Sequence, residues 1–344
     1  MQTVFISQLK PFLDALASQI ELYIPKKIEA HFVFSKYNPE NSSEVELNNI
    51  RACTPVKEFL FPLRELAAIF PEPLDLKDIK PFAIFGLKDC DLRSIEILDK
   101  VFKEDEFEDP FYIKRREKMF IISSDCFDPA QSCICNFLSG KPFSEGGYDL
   151  NVSKVSGGFV VESGSEKGKQ FINDNSEMFA KVSEDVLAQR QANREQAQKQ
   201  LDKQNTEYKL DAPVHEIVQQ SYESDVYDQE AATCVECQAC TRVCPTCHCF
   251  YLYDTKQKEY FGKMKMWDSC MRLSYAMVAG GENPRKVLGD RLRHRFMHKF
   301  SYFLERYGID MCVGCGRCVD AEAGQVDLRK VLKKLNDELN VKVK

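Results

Sequence analysis

Long apolar runs are missing from this 344-residue chain. No stretch approaches the roughly 18 uninterrupted apolar residues of a membrane helix, so no membrane span is expected. Basic charge is also short. Lys and Arg number 47 against 53 Asp and Glu, a net charge of -6, and without a cationic excess nucleic acid is not expected as a main partner. The opening MQTVFISQLKPFLDAL has neither a basic n-region nor a cleavable apolar core, which implies no signal peptide and a cytoplasmic location. No phosphate loop stands out: GSEKG at Gly164 to Gly168 has the spacing of neither the P-loop nor G-x-G-x-x-G. Catalytic triads and paired carboxylates are absent, and DCD and SSD read as turn or cap residues. The lone Trp267 reads as packed core.

Cysteine, by contrast, is abundant, with fifteen in the chain. An odd count without a secretory signal argues against a disulfide scaffold and for metal ligands. CVECQACTRVCPTCHC, Cys234 to Cys249, carries six cysteines in sixteen residues. Cys234, Cys237, Cys240 and Cys244 are spaced C-x2-C-x2-C-x3-C and followed by Pro245. The rhythm returns at Cys312, Cys315 and Cys318, but Glu322 and Ala323 stand where a fourth cysteine and proline would follow. Three thiolates on a winding loop suit one corner of a cubane, and in two-cluster ferredoxins the fourth cysteine ligates the other cluster. Cys312, Cys315, Cys318 and Cys244 are therefore expected to hold one [4Fe-4S] cluster. Zinc, the alternative, usually takes two C-x2-C knuckles rather than three cysteines in tandem.

Cys234, Cys237 and Cys240 then need a fourth ligand. Cys249, Cys247, Glu322 and Cys270 are the candidates, and a three-iron or open-cornered cluster is a further reading. Iron in these clusters prefers thiolate, which favours a cysteine substitute, although Glu322 holds the expected position. A second group, Cys90, Cys126, Cys133 and Cys135, follows predicted strand ends. It could hold a third cluster or consist of buried reduced cysteines. RLRHRFMHKF, from Arg291, is either a solvated face or a source of cations beside an anionic cluster. In the second case Arg293, His294, Arg295 and His298 would tune it, since such clusters carry about -2 oxidised and -3 reduced. His248 reads as a hydrogen-bond donor or surface residue.

Residues 1–174 read as an α/β or α+β domain. HFVFSKY, PFAIFG, MFIISS and GGFVVE suggest strands, and Ile95, Leu98 and Phe102 share one face of a helix in LRSIEILDKVF. Residues 175–210 read as a polar connecting helix with Met178, Phe179, Val182 and Val186 as its early apolar stripe. Residues 211–344 read as a mainly helical, ferredoxin-like dicluster domain. In it, a helix from Asn283-Pro284 to Gly308 buries Leu288, Leu292, Phe296, Phe300 and Leu304.

These motifs carry a resemblance. CVECQACTRVCPTCHCF, WDSC, RLRHRFMHKF and CVGCGRC, with GLKDCDLRSIEILDKVF, DPFYIKRRE, SDCFDPAQSCIC and GSEKG in the same order, resemble iron-sulfur subunits of the sulfhydrogenase β and anaerobic sulfite reductase A type. The resemblance implies single-electron transfer between a flavoprotein NAD(P)H-oxidoreductase subunit and a terminal redox subunit. The terminal unit would be a nickel-iron hydrogenase, a sulfite reductase or a heterodisulfide-reductase-like module. Glu322-Ala323 departs from that family's pattern. That vacancy motivates an alternative: a redox enzyme with its own substrate site, at an open-cornered cluster or at the first-domain cysteines.

Overall fold

The computed structural model describes residues 1–41, 47–71, 75–104, 106–256 and 260–342. The first half is built on an eight-stranded mixed sheet. Its strands are β1 (Thr3–Ile6), β2 (Glu21–Ile28), β3 (His31–Lys36), β5 (Phe82–Leu87), β6 (Met119–Ser124), β7 (Leu150–Val155), β8 (Gly158–Ser163) and β9 (Ala180–Lys181). They lie in the order β3-β2-β5-β6-β7-β8-β1-β9. The β2-β5-β6-β7 centre is parallel and the flanks are antiparallel. All six residues of β5 are buried, the continuous apolar run expected of a parallel strand covered on both faces.

Two helices cross between β5 and β6. In Asp89–Phe102, the acidic residues Asp89 and Asp91 occupy the first turn, where a helix N-terminus favours negative charge. Its Ile95, Leu98 and Phe102 are buried against β5 and β6, as their spacing requires. Pro110–Lys118 starts on Asp109, whose carboxylate accepts from the Phe111 and Tyr112 N–H groups at 3.0 and 3.1 Å. Proline fits the position after such a cap. The first three strands read from sequence outside β8, and β8 itself, are all present.

The polar segment is organised differently from expectation. Met178 and Phe179 pack on the core of the first sheet, and β9 extends that sheet, so the helix begins only at Glu184 and runs to Gln204. Ser183 caps it, accepting from the Val186 N–H at 3.4 Å. The helix is also tied down. Arg194 pairs with Asp125 at 2.8 Å, and the fully buried Leu201 packs on Cys133 and Cys135.

The second half is mainly helical but contains a hairpin of β10 (Phe250–Lys256) and β11 (Phe261–Trp267). β11 pairs with β4 (Arg64–Phe70) from the first half, so one three-stranded sheet joins the two halves. Phe250–Lys256 alternates exposed and half-buried residues only in the fold, since its sequence is an apolar run followed by polar residues and shows no period of two. The helix expected from Asn283 starts at Leu288, because Asn283 caps a turn instead, accepting from the Arg285 N–H at 2.9 Å. Leu288–Met297 continues through a π-turn, His298–Tyr302, into Phe303–Tyr307, and Gly308 ends the run at φ 73°. Residues spaced by four drift about 40° per step on an α-helix; the wider π-turn absorbs drift and keeps Leu292, Phe296 and Phe300 buried on one line. Leu288 and Leu304 at its ends are half-buried. Between the halves lies a seam of Cys90, Ile97, Cys244, Cys247, Phe303, Met311, Val313 and Cys315.

Candidate metal centre

The two tandem motifs adopt one backbone form. Glu236 and Gln238 follow Cys234 at φ 55° and 63°, and Gly314 and Gly316 follow Cys312 at φ 64° and 70°. In each loop, left-handed residues two and four places after the first cysteine turn the chain and start a short helix holding the third, Ala239–Arg242 or Arg317–Ala321. A left-handed non-glycine residue costs about 1–2 kcal/mol. The first motif tolerates Glu and Gln there; in the second the loop is pressed against Ser132 to Cys135 and only glycine fits.

Cys244, Cys312, Cys315 and Cys318 line one cavity, together with Arg295 and Lys299. Cys244 thus stands in the cavity that the second motif lines. Lys299 Nζ lies 3.4 Å from Cys244 Sγ and 3.3 Å from Thr246 Oγ1. Burial disfavours its charge, yet Cys244, Cys247 and Cys312 outweigh burial and hold the ammonium well above its ordinary range. Arg295, also buried, is held up in the same way by Cys240, Cys318, Cys247 and Cys270. Its Nε and Nη2 have no hydrogen-bond partner.

Cys234, Cys237 and Cys240 face Glu322. Cys237 Sγ lies 3.9 Å from Glu322 Oε1, and the Val326 N–H donates to the other carboxylate oxygen at 2.7 Å. Gly324 abuts Thr233 and Cys234, where a Cβ would come within 2.4 Å of the Thr233 carbonyl, so the Glu322 loop is seated on the first motif. Cys249 and Cys270 belong to the same packed cluster as Cys234 and Cys240, while Cys247 lies in the seam with Cys244. Cys247 lies beside Cys244 and helps hold that thiol below its ordinary range, and the neighbouring Cys270 and Tyr275 bring the Cys249 thiol down to about 6 against the effect of burial. Lys57 spans this region, donating to the carbonyls of Thr241 and Cys247 at 2.9 Å each. It also sits 4.1 Å from the Trp267 ring centre. Trp267 is buried, its indole donating to the Phe61 carbonyl at 2.8 Å.

The first-domain thiols converge as well. Cys90, Cys126, Cys133 and Cys135 line one cavity with Arg51, Lys88 and Cys315. Burial raises Cys126 to about 12 despite Lys88, and pushes Cys133 and Cys135 up too.

Of the proposed tuning residues, Arg295 alone stands among thiols. Arg293 pairs with Asp290 at 2.8 Å and lies over the Tyr222 and Tyr227 rings. His294 and His298 stack, ring centres 6.1 Å apart, and burial lowers them to about 4 and about 3, so they are neutral at pH 7. His248 is half-buried beside His298 and is lowered to about 4 for the same reason. Sequence reasoning missed Arg51, Lys57, Lys88 and Arg317. Arg51 and Lys57 lie far from the tandem motifs along the chain and join them only in the fold, whereas Arg317 stands between Cys315 and Cys318 and Lys88 two residues before Cys90.

Among the described residues, no three His, Cys, Asp or Glu side chains converge tightly enough for a single metal ion. Tetrahedral zinc at about 2.3 Å from sulfur would need thiolates some 4 Å apart. A four-iron cube is wider, each thiolate sitting on a different iron. The charges agree with the cube. Lys57, Lys88, Arg295 and Lys299 are all buried, and an uncompensated buried charge costs several kcal/mol. Anionic clusters between them would provide the compensation.

The family model of the 4Fe-4S dicluster domain matches residues 233–326. Over 333 residues, 95% of this chain and 96% of the relative, the sequence is 32% identical to the protein named sulfhydrogenase 2 subunit beta of Pyrococcus furiosus.

Proposed function

Because the chain belongs to the family of sulfhydrogenase β subunits and is an iron-sulfur electron-transfer subunit, we propose that it relays electrons between a flavoprotein subunit exchanging with NAD(P)H and a terminal hydrogenase-type subunit. The cytoplasm is the compartment that suits fifteen cysteines in reduced form. When bound, a [4Fe-4S] cluster supplies reversible one-electron chemistry without bond making. Cys244, Cys312, Cys315 and Cys318 are the ligands of one such cluster. Cys234, Cys237 and Cys240 hold the other, with Glu322 as fourth ligand, and the first-domain thiols offer a third position. Glu322 is preferred to the cysteine substitute suggested by ligand softness because its carboxylate lies at Cys237, whereas the free thiols of Cys249 and Cys270 interact with each other.

The observation that carries the reading is the meeting of Cys244 with the second motif around one cavity, beside the unpartnered donors of Arg295. Between the two ligand sets, Arg295 lies near both Cys240 and Cys318 and stabilises added negative charge on either side. Lys299 does so at Cys244. None of these residues has to move for an electron to pass, so the chain's work is to bury, space and charge-balance two sites.

Anaerobic purification of the chain with its bound subunits tests this. The expected result is visible absorbance bleached by dithionite and by NADH or NADPH, with a flavin-containing subunit co-purifying. An iron-free protein, or clusters bleached by neither reductant, would contradict it.

A further inference from the structure

We propose that Cys90, Cys126, Cys133 and Cys135 bind a third iron-sulfur cluster, coupled to the Cys312–Cys318 site through Cys315. This rests on the electron-relay reading and extends it into the first domain. The four thiols arrive from separate loops. Cys90 follows β5, Cys126 follows β6, and Cys133 and Cys135 lie in the segment after it. These are the carboxyl ends of adjacent parallel strands, where open α/β sheets bind their ligands.

Buried cysteines kept for packing would sit among apolar side chains. Here they share their surroundings with three buried cations. Lys88 Nζ donates to the Asn48 carbonyl at 2.5 Å, and to Ser124 Oγ and the Asp125 carbonyl at 2.8 Å each. Arg317 Nη1 lies 3.9 Å from Cys90 Sγ, while Nη2 holds Asp91 at 2.6 Å. Arg51 bonds the Cys315 carbonyl and Ser132 Oγ at 3.2 Å. Arg51 and Arg317 have carboxylate partners in Asp320 and Asp91, whereas Lys88 has only neutral oxygens within bonding distance. A buried ammonium of that kind favours an anion beside it.

The coupling is built into the backbone. Cys315 lines this cavity and that of the dicluster site. Cys133 Sγ lies 3.4 Å from the Cys315 carbonyl, and the Ile134 N–H donates to the Gly314 carbonyl at 2.8 Å. A Cβ at Gly314 would fall 2.6 Å from the backbone of Cys135, and one at Gly316 2.5 Å from the Ser132 carbonyl. Such contact makes glycine obligatory at both places and sets the two ligand loops against each other. The step served is a one-electron exchange in which one site loses what the other gains. No bond forms or breaks, and no further reactant is needed.

The test is iron and acid-labile sulfide per full-length chain, after anaerobic expression and purification, for wild type, Cys126→Ser and Cys135→Ser. Three four-iron clusters give about twelve of each in wild type, and about eight in either variant. The dithionite-reduced EPR spectrum of the variants should lose one component and the broadening it causes. About eight irons in wild type, or zinc bound with the iron at eight, overturns the proposal while leaving the dicluster reading intact. No iron at all overturns both. The wild-type count stands even if a variant fails to fold.

Discussion

Glu322 is where the ligand question becomes most local. Its two oxygens are divided between Cys237 and the Val326 N–H, so it is positioned by its own loop before any iron arrives. Glu322→Cys should keep four irons at the first motif. Glu322→Ala should release the iron at that corner, giving a three-iron EPR signal in the oxidised protein; an unchanged four-iron spectrum in Glu322→Ala would return the role to a cysteine. Lys299 is the counterpart on the other site. Its ammonium faces Cys244, and removal of one charge about 5 Å away at an effective dielectric near 20 is worth about 3 kcal/mol. Lys299→Met should therefore lower that cluster's midpoint potential by on the order of 100 mV, as tenfold in equilibrium is about 59 mV for one electron. Spectroelectrochemistry reads this directly. The residue scale was the most legible in sequence: the spacing and the ferredoxin rule put Cys244 with the second motif, and the four cysteines line one cavity. It could not reveal Lys57 or Arg51, because nothing in their own neighbourhoods marks them.

At the scale of elements, the helix Glu184–Gln204 looks solvated in sequence and in part is, yet Leu201 closes the loop holding Cys133 and Cys135. Leu201→Ala should cost roughly 2–5 kcal/mol of stability, seen as a lower denaturation midpoint and easier alkylation of those two thiols. The run Leu288 to Tyr307 holds a neutral stack of His294 and His298, faced by His248. A histidine whose pKa is lowered by folding binds fewer protons folded than unfolded, so its stabilising effect is present above about 6.5 and is lost as pH falls. For His298, lowered to about 3, the loss runs from about 6.5 down to about 3 at on the order of 1 kcal/mol per pH unit. Thermal midpoints measured anaerobically from pH 7 to pH 5 should decline, and His298→Gln should flatten part of the decline. Strands with uniform apolar runs, such as β5, were legible; β9 and the helix start at Glu184 were not. Met178 and Phe179 sit on a sheet rather than a helix because tertiary packing overrides the helical propensity of the residues that follow.

Across the whole molecule, the thiol groups adjoin one another in turn. First-domain thiols meet Cys315, its site meets the first motif across Arg295, and that motif ends at Cys237, the only exposed cysteine of the fifteen. The halves carrying these thiols are stitched together by β4 and β11, a pairing between residues too distant in sequence for local pattern to reveal. No helix among the described residues is long and apolar enough to cross a membrane. A relay makes one demand that separate stabilising clusters do not: the sites must be reducible and close enough to sense one another. An EPR-monitored redox titration of the anaerobically purified chain measures both. The account predicts more than one reducible spin per chain, with lines broadened by mutual interaction; a single magnetically isolated signal, or none that dithionite can reduce, would contradict it.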